Sequence, residues 1–333
     1  MSRSLRLPDT LSQWPYPRRI NPAYEEVSAE SAAWLRSFHA FSNEAQVAFD
    51  KCKFGLLASL TYPNVDKDHL RAACDLMNVF FVFDEQTDIA DTARTRELAD
   101  IVIDAVRHPD RPRPEGEPVV GEITRQFWAH ACVNSTASGR ARFEQEWARY
   151  VESVVGQAED RDAGRLRTTE EYLELRRFTI GADPSYALAM ARVDLPLAVS
   201  ELPVFRKLRG CITDMLIFDN DLLSYRKEYA AGDDMHNIIT LVMNEKQIDV
   251  DAAVEWLAAE HAKRVDEFFV LWPQASAMSF GSDELNQAVA TYLDHLVNWP
   301  RGDECWSFES GRYFGKDGAR VKKERVIELK TRD

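Results

Sequence analysis

Apolar residues recur along most of this chain at three- and four-residue spacing, the mark of amphipathic helices. The pattern predicts helical segments over 31–49, 69–83, 121–157, 170–178, 204–228, 249–271 and 283–297, and no stretch sustains the strict alternation of a strand. Compositions rich in Pro, Gly, Asn and charge place breaks at 63–64, 108–118, 158–167, 181–184, 232–237 and 300–302. No repeat or long linker divides the chain, so the expected architecture is all-α, a single helical bundle. Residues 1–25, rich in Pro and charge, read as an irregular arm, 26–315 as the folded domain and 316–333 as a charged tail.

Two helical rows change character along one face. Residues four apart stand nearly in line on a helix. One row runs Leu76, Phe80, Asp84, Asp88; another runs Leu208, Ile212, Leu216, Asn220, Ser224, Glu228. Each starts as an apolar stripe and ends in oxygen ligands. A carboxylate near a core must be paired, neutralised or bound to a cation. Acids at helix ends are also commonly solvated, and one row alone leaves both readings open. Two rows favour the cation. Oxygen donors without His or Cys suit Mg²⁺ or Mn²⁺ rather than zinc, and Mg²⁺ shares its shell with phosphates.

Composition narrows the partners. The 45% apolar and 29% charged residues describe a globular chain rather than a disordered one. A formal charge of −14 argues against nucleic acid. The five cysteines, odd in number and without metal-type spacing, read as reduced structural thiols. No apolar run is long enough for a membrane span, and the expectation is a cytoplasmic protein. No GxxxxGK[ST] or GxGxxG sequence offers a nucleotide cradle.

Asp84-Glu85-Gln86-Thr87-Asp88, preceded by Phe80-Phe81, resembles the aspartate-rich motif of class I terpene synthases, and the run from Asn220 to Glu228 resembles their second metal motif. Arg176-Arg177-Phe178-Thr179-Ile180-Gly181, His236-Asn237, Trp306-Ser307-Phe308 and Arg312-Tyr313 extend the resemblance to fungal, especially basidiomycete, sesquiterpene synthases, over residues 20 to 315. The resemblance implies a helical bundle enclosing an active-site cavity and a prenyl diphosphate substrate, farnesyl diphosphate first. It implies three Mg²⁺ ions, with Asp84, Asn220, Ser224 and Glu228 as ligands. Glu85 stands where the family has aspartate, which leaves Asp88 as either a ligand or a solvated carboxylate. Arg177 would sense the diphosphate, Lys227, Arg312 and Tyr313 would contact it, and Gly181 would break a helix at the cavity.

Phe80, Phe81 and Trp306 are the expected cavity aromatics, since a carbocation is stabilised by aromatic faces and must be kept from water. The loop 232–237 and the Arg312-Tyr313 segment are the expected lids, His236 reads as an exposed loop histidine, and the released diphosphate serves as a base for the final proton. Similarity to enzymes of humulyl-type cyclisation implies a protoilludene-like product, with a germacrene-derived cadinane as alternative. A trans-prenyltransferase would carry two aspartate-rich motifs, and a non-catalytic helical binding protein would have lost ligands this chain keeps. A homodimer is among the assemblies the resemblance allows.

Overall fold

The computed structural model describes residues 2–330. Its helices are α1 (Tyr24–Arg36), α2 (Asn43–Lys51), α3 (Phe54–Thr61), α4 (Lys67–Thr87), α5 (Thr92–Arg107), α6 (Val119–Ala131), α7 (Ala137–Asp162) and α8 (Thr169–Thr179). They continue with α9 (Ala182–Ala189), α10 (Leu197–Ser200), α11 (Pro203–Ala231), α12 (Ile238–Lys246), α13 (Val250–Ser276), α14 (Asp283–Glu309) and α15 (Gly318–Glu324). The all-α expectation holds. Long α11 packs along α13 and α14, and α4 packs against α3 and α6, so both oxygen-bearing rows project from the middle of the bundle.

Local chemistry sets the ends of the site helices. Asp66 caps α4 by accepting from the His69 amide, and Thr168 with Glu171 forms a reciprocal capping box on α8. Pro203 opens α11 in its first turn, where a missing N–H costs nothing, and Gly232 closes it at φ 81°. Two predicted segments are each two helices. The 31–49 stretch is interrupted by His39 at φ 51° and a Ser42 cap, and 121–157 by a Thr136 cap. The predicted break at 300–302 is absent, because α14 carries Pro300 inside it. Gly302 is there for proximity: a Cβ on it would lie 2.9 Å from Thr61 and 3.1 Å from the Leu60 carbonyl, so it lets α14 lie close on α3.

The arm and tail are more ordered than their compositions suggest. Strands β1 (Ser2–Arg6) and β2 (Val326–Lys330) pair antiparallel, with Leu5 opposite Ile327. The arm buries Leu5, Leu7, Leu11 and Trp14, and the tail buries Val321, Ile327 and Leu329. The irregular-arm and charged-tail expectations are thus corrected over these residues, because a pairing of two five-residue strands from opposite ends leaves almost no local pattern. Met1 and 331–333 of those segments lie outside the described residues. Arg18 grips Glu309 through two 2.9 Å hydrogen bonds, and Arg325 donates to Glu304 at 2.9 Å, so both segments fasten to α14.

Candidate active site

The ends of α4 and α11 line one cavity of about 230 Å³, together with parts of α7, α8, α9 and α14. Asp84, Asp88, Asn220, Ser224 and Glu228 all border it, as do Phe80, Phe81, Trp306, Gly181, Lys227, Arg312 and Tyr313. The helical spacing that put each row on one face also put both rows on the same space.

On the α4 side, Asp84 accepts a 3.0 Å hydrogen bond from the Tyr150 hydroxyl on α7. Burial, and then the neighbouring Asp88, raises its pKa. Asp88 has an open surface at the rim, yet its carboxyl is set among surrounding protein, and that loss of solvation followed by Asp233 raises it too. Arg161 holds the end of α4 through the carbonyls of Thr87 at 2.9 Å and Ala90 at 2.6 Å, without neutralising either acid. Glu85 points elsewhere and lies 3.5 Å from Arg312.

The α11 side is already tied together. Asn220 accepts from Arg176 at 2.7 Å and donates to the Tyr313 hydroxyl at 2.9 Å. Glu228 accepts from Asn237 at 2.9 Å, and burial followed by Asp221 pushes its pKa up to about 7. Buried Asp221 accepts from Tyr172 at 2.7 Å and from the Ile238 amide at 2.9 Å, while Asn237 donates to the Asp221 carbonyl at 2.7 Å. These bonds fix the 232–237 loop against α11. His236 is half-buried at the cavity rather than exposed, and its carbonyl accepts from Tyr172 at 2.9 Å.

The neighbouring arginines of α8 part company. Arg177 is outside the cavity lining; it makes a two-pronged contact with Asp214 at 2.7 and 2.9 Å. Arg176 faces inward and binds Asn220, with Asp221 3.6 Å away. Burial works against its charge, but Tyr172, Asp221, Glu228 and Asp84 hold its pKa above the ordinary value. The geometry therefore corrects the choice of Arg177 as the diphosphate contact: a step of one residue turns a helical side chain about 100° around the axis. Tyr150, Tyr172 and Arg176 were missed as site residues. A possible signal was Tyr172 four residues before Arg176, but Leu173 stands equally before Arg177.

Arg312 stacks over Phe81 at 5.1 Å, and its Nε is buried with no hydrogen-bond partner. Lys227 stands nearby, its pKa lowered by burial and then by Arg312. Gly181 sits at φ 73° before α9, and the Phe80 ring lies 3.3 Å from where a Cβ would be. Pro184 belongs to the first turn of α9, where its missing N–H is harmless, so the break falls at Gly181 itself.

The donors fit a hard divalent cation. Asp84, Asp88 and Glu228 form no ion pair among the described residues, although all three are raised by burial. No three His, Cys, Asp or Glu side chains among the described residues gather into a metal site by themselves. A cation here would draw on Asn220 and Ser224 and on oxygens brought by a substrate, as Mg²⁺ commonly does.

Comparison with known proteins agrees with this geometry. Residues 75–267 match the family described as "Terpene synthase family 2, C-terminal metal binding", a span that includes both rows. Over 327 residues the chain is 48% identical to Sesquiterpene synthase 14 of Postia placenta, covering 98% of this chain and 92% of that protein. A Delta(6)-protoilludene synthase of Stereum hirsutum is 46% identical over 327 residues, 98% of this chain and 88% of its own. Among solved structures, α-eudesmol synthase has a TM-score of 0.79 at 20% identity, covering 89% of this chain and 98% of that one. Germacradien-4-ol synthase from Streptomyces citricolor has a TM-score of 0.76 at 23% identity, covering 88% and 98%. These two share the helical bundle. No described helix is long and apolar enough to cross a membrane. Near-half identity along almost the whole length, with the metal-binding region matched across α4 and α11, places this chain in the terpene synthase family.

Proposed function

We propose that this protein is a Mg²⁺-dependent sesquiterpene cyclase that ionises farnesyl diphosphate and closes the cation by humulyl-type cyclisation to Delta(6)-protoilludene or a close relative. The observation that carries this reading is the meeting of two oxygen-bearing helix ends over one aromatic-walled cavity. The product assignment draws on relatives of that name, among them proteins of Stereum hirsutum and Armillaria gallica at 46% and 45% identity.

Asn220, Ser224 and Glu228 would hold metal from α11 and Asp84 from α4, with Asp88 at the rim. Mg²⁺ held there, three ions by the family expectation, would supply positive charge to the leaving diphosphate oxygens. Arg176, Arg312, Lys227 and the Tyr313 hydroxyl would bind the same group, Arg312 through an Nε that has no other partner. Their fixed placement favours charge developing on the leaving group. Phe80, Phe81 and Trp306 would face the hydrocarbon cation and exclude water. Gly181 brings the backbone between α8 and α9 close to Phe80, which would let diphosphate contact at Arg176 be felt at the cavity wall.

Incubation of the purified protein with farnesyl diphosphate and Mg²⁺, followed by gas chromatography with mass detection, tests the reading. The expected result is a tricyclic C15 hydrocarbon that disappears with EDTA. Folded protein that turns over no prenyl diphosphate overturns it.

A further inference from the structure

Unbroken α14 lays Trp299, Asp303 and Trp306 along the cavity wall at intervals of four and three. Asp303 is the acid in this aromatic stripe. Its Oδ2 is closed off from solvent and has no hydrogen-bond partner, and no Lys, Arg or His forms an ion pair with it among the described residues. Several other buried acids are provided for. Asp214 is held by Arg177 and Arg264, and Asp75 by Arg71 and Ser31. Adjacent Glu304 takes Arg301, Lys322 and Arg325. Asp303 receives nothing comparable, and burial, reinforced by Asp219 and Glu304 against a smaller opposing effect of Arg176, pushes its pKa up to about 8.

A carboxyl oxygen closed off from solvent without a partner costs stability, and the fold gains no visible contact from it. Chemistry in the cavity is the remaining use. Lys227, Arg312 and Glu228 belong to the face read as the diphosphate site, whereas Asp303 interleaves the indoles that would face hydrocarbon. Resting on the cyclase reading above, we propose that Asp303 accepts the terminal proton of the carbocation cascade directly, having first given its resting proton to the released diphosphate.

The steps balance. The allylic C–O bond breaks with its electron pair leaving on diphosphate, and π-electron pairs close the rings; only after it has separated does the diphosphate take the resting proton of Asp303, from the side where Arg176 and Tyr313 bear on that carboxyl. The last C–H bond breaks, its electrons form the product double bond, and the proton returns to the Asp303 carboxylate. The net change is farnesyl diphosphate to C15 hydrocarbon and hydrogen diphosphate. A neutral resting Asp303 does not repel an anionic substrate, and a carbocation beside it favours the ionised form.

The test compares wild type, Asp303→Asn and Asp303→Glu in diphosphate release, product profile and melting temperature. The expected result for Asp303→Asn is diphosphate release within about fivefold of wild type, while the major product loses about tenfold of its share to hydrocarbons or alcohols from other exits. Its melting temperature should equal or exceed that of wild type, and Asp303→Glu should recover part of the native profile. An Asn variant with an unaltered profile overturns the assignment, as does release and product falling together at unchanged product ratios, the behaviour of a positioning residue. If Asp303→Asn does not fold, Asp303→Ser takes its place under the same criteria: a redistributed profile with diphosphate release kept supports the assignment, and an unaltered profile overturns it. A wild type that releases no diphosphate overturns the cyclase reading and this assignment together.

Discussion

The two helix ends that frame the cavity present the same kind of atoms in opposite states. On α11, Asn220 and Glu228 are already oriented by Arg176, Tyr313 and Asn237, and the loop behind them is fastened through Asp221. On α4, Asp84 has one hydroxyl donor, Tyr150, and its largest charged influence is another acid, Asp88. Both carboxylates feel a neighbouring acid, Asp221 for Glu228 and Asp88 for Asp84, but only the α11 end is preorganised by several neutral and cationic hydrogen-bond partners. The contrast suggests a division of labour in which α11 sets position and α4 supplies the charge that metal and substrate complete.

Removing one oxygen donor from each side breaks the comparison most strongly. Asp84→Asn and Glu228→Ala are each expected to lower diphosphate release on the order of 10²–10³-fold. Their stabilities should diverge: without metal, Asp84→Asn raises the melting temperature by relieving a repelled acid, and Glu228→Ala lowers it by removing one of the two hydrogen bonds the Asn237 amide donates. Parallel shifts in calorimetry would remove the contrast.

The arginines of α8 give the next largest effect. Arg176→Ala should lower kcat/KM about 100-fold. Arg177→Ala should leave it within about threefold, costing about 1 kcal/mol of stability because its half-exposed side chain shares Asp214 with Arg264. Steady-state kinetics and denaturant melts on both variants separate the two, and the reverse ranking would restore Arg177 as the diphosphate contact.

Tyr313→Phe removes one hydrogen bond to Asn220, worth about 0.5–1.5 kcal/mol, so a loss of about three- to tenfold in kcat/KM is expected. The smallest effect is in pH. Glu228 has its folded pKa raised from 4.5 to about 7, so the folded state binds its proton more tightly than the unfolded chain. Its contribution is therefore most favourable below about pH 4.5 and is lost as pH rises towards about 7. Metal-free wild type should lose stability relative to Glu228→Gln across that window, and a melting-temperature gap that stays constant would refute this.

Much of the site was legible because a helix converts spacing into a face. The rows ending in Asp88 and Glu228 required only the repeat of four, and the aromatics one turn before Asp84 followed from the same rule. Arg176 was not legible in this way, since Tyr172 and Leu173 give both arginines an equal claim to the inward face. Asp303 stayed hidden because Pro300 and Gly302 read as a break, when the proline is carried inside α14 and the glycine serves close packing on α3. The β1–β2 pair left no signal because its partners stand at opposite ends of the chain.

What the sequence determined by itself was the helical period, the caps, and the oxygen chemistry of two faces, all of which depend on residues within a turn or two of each other. The tertiary structure decided which faces share a cavity, which of two adjacent arginines enters it, and which carboxyl remains without a partner. Those outcomes depend on neighbours far along the chain, Tyr150 for Asp84, Asn220 for Arg176 and the cavity wall for Asp303, and local pattern carries no record of such distances.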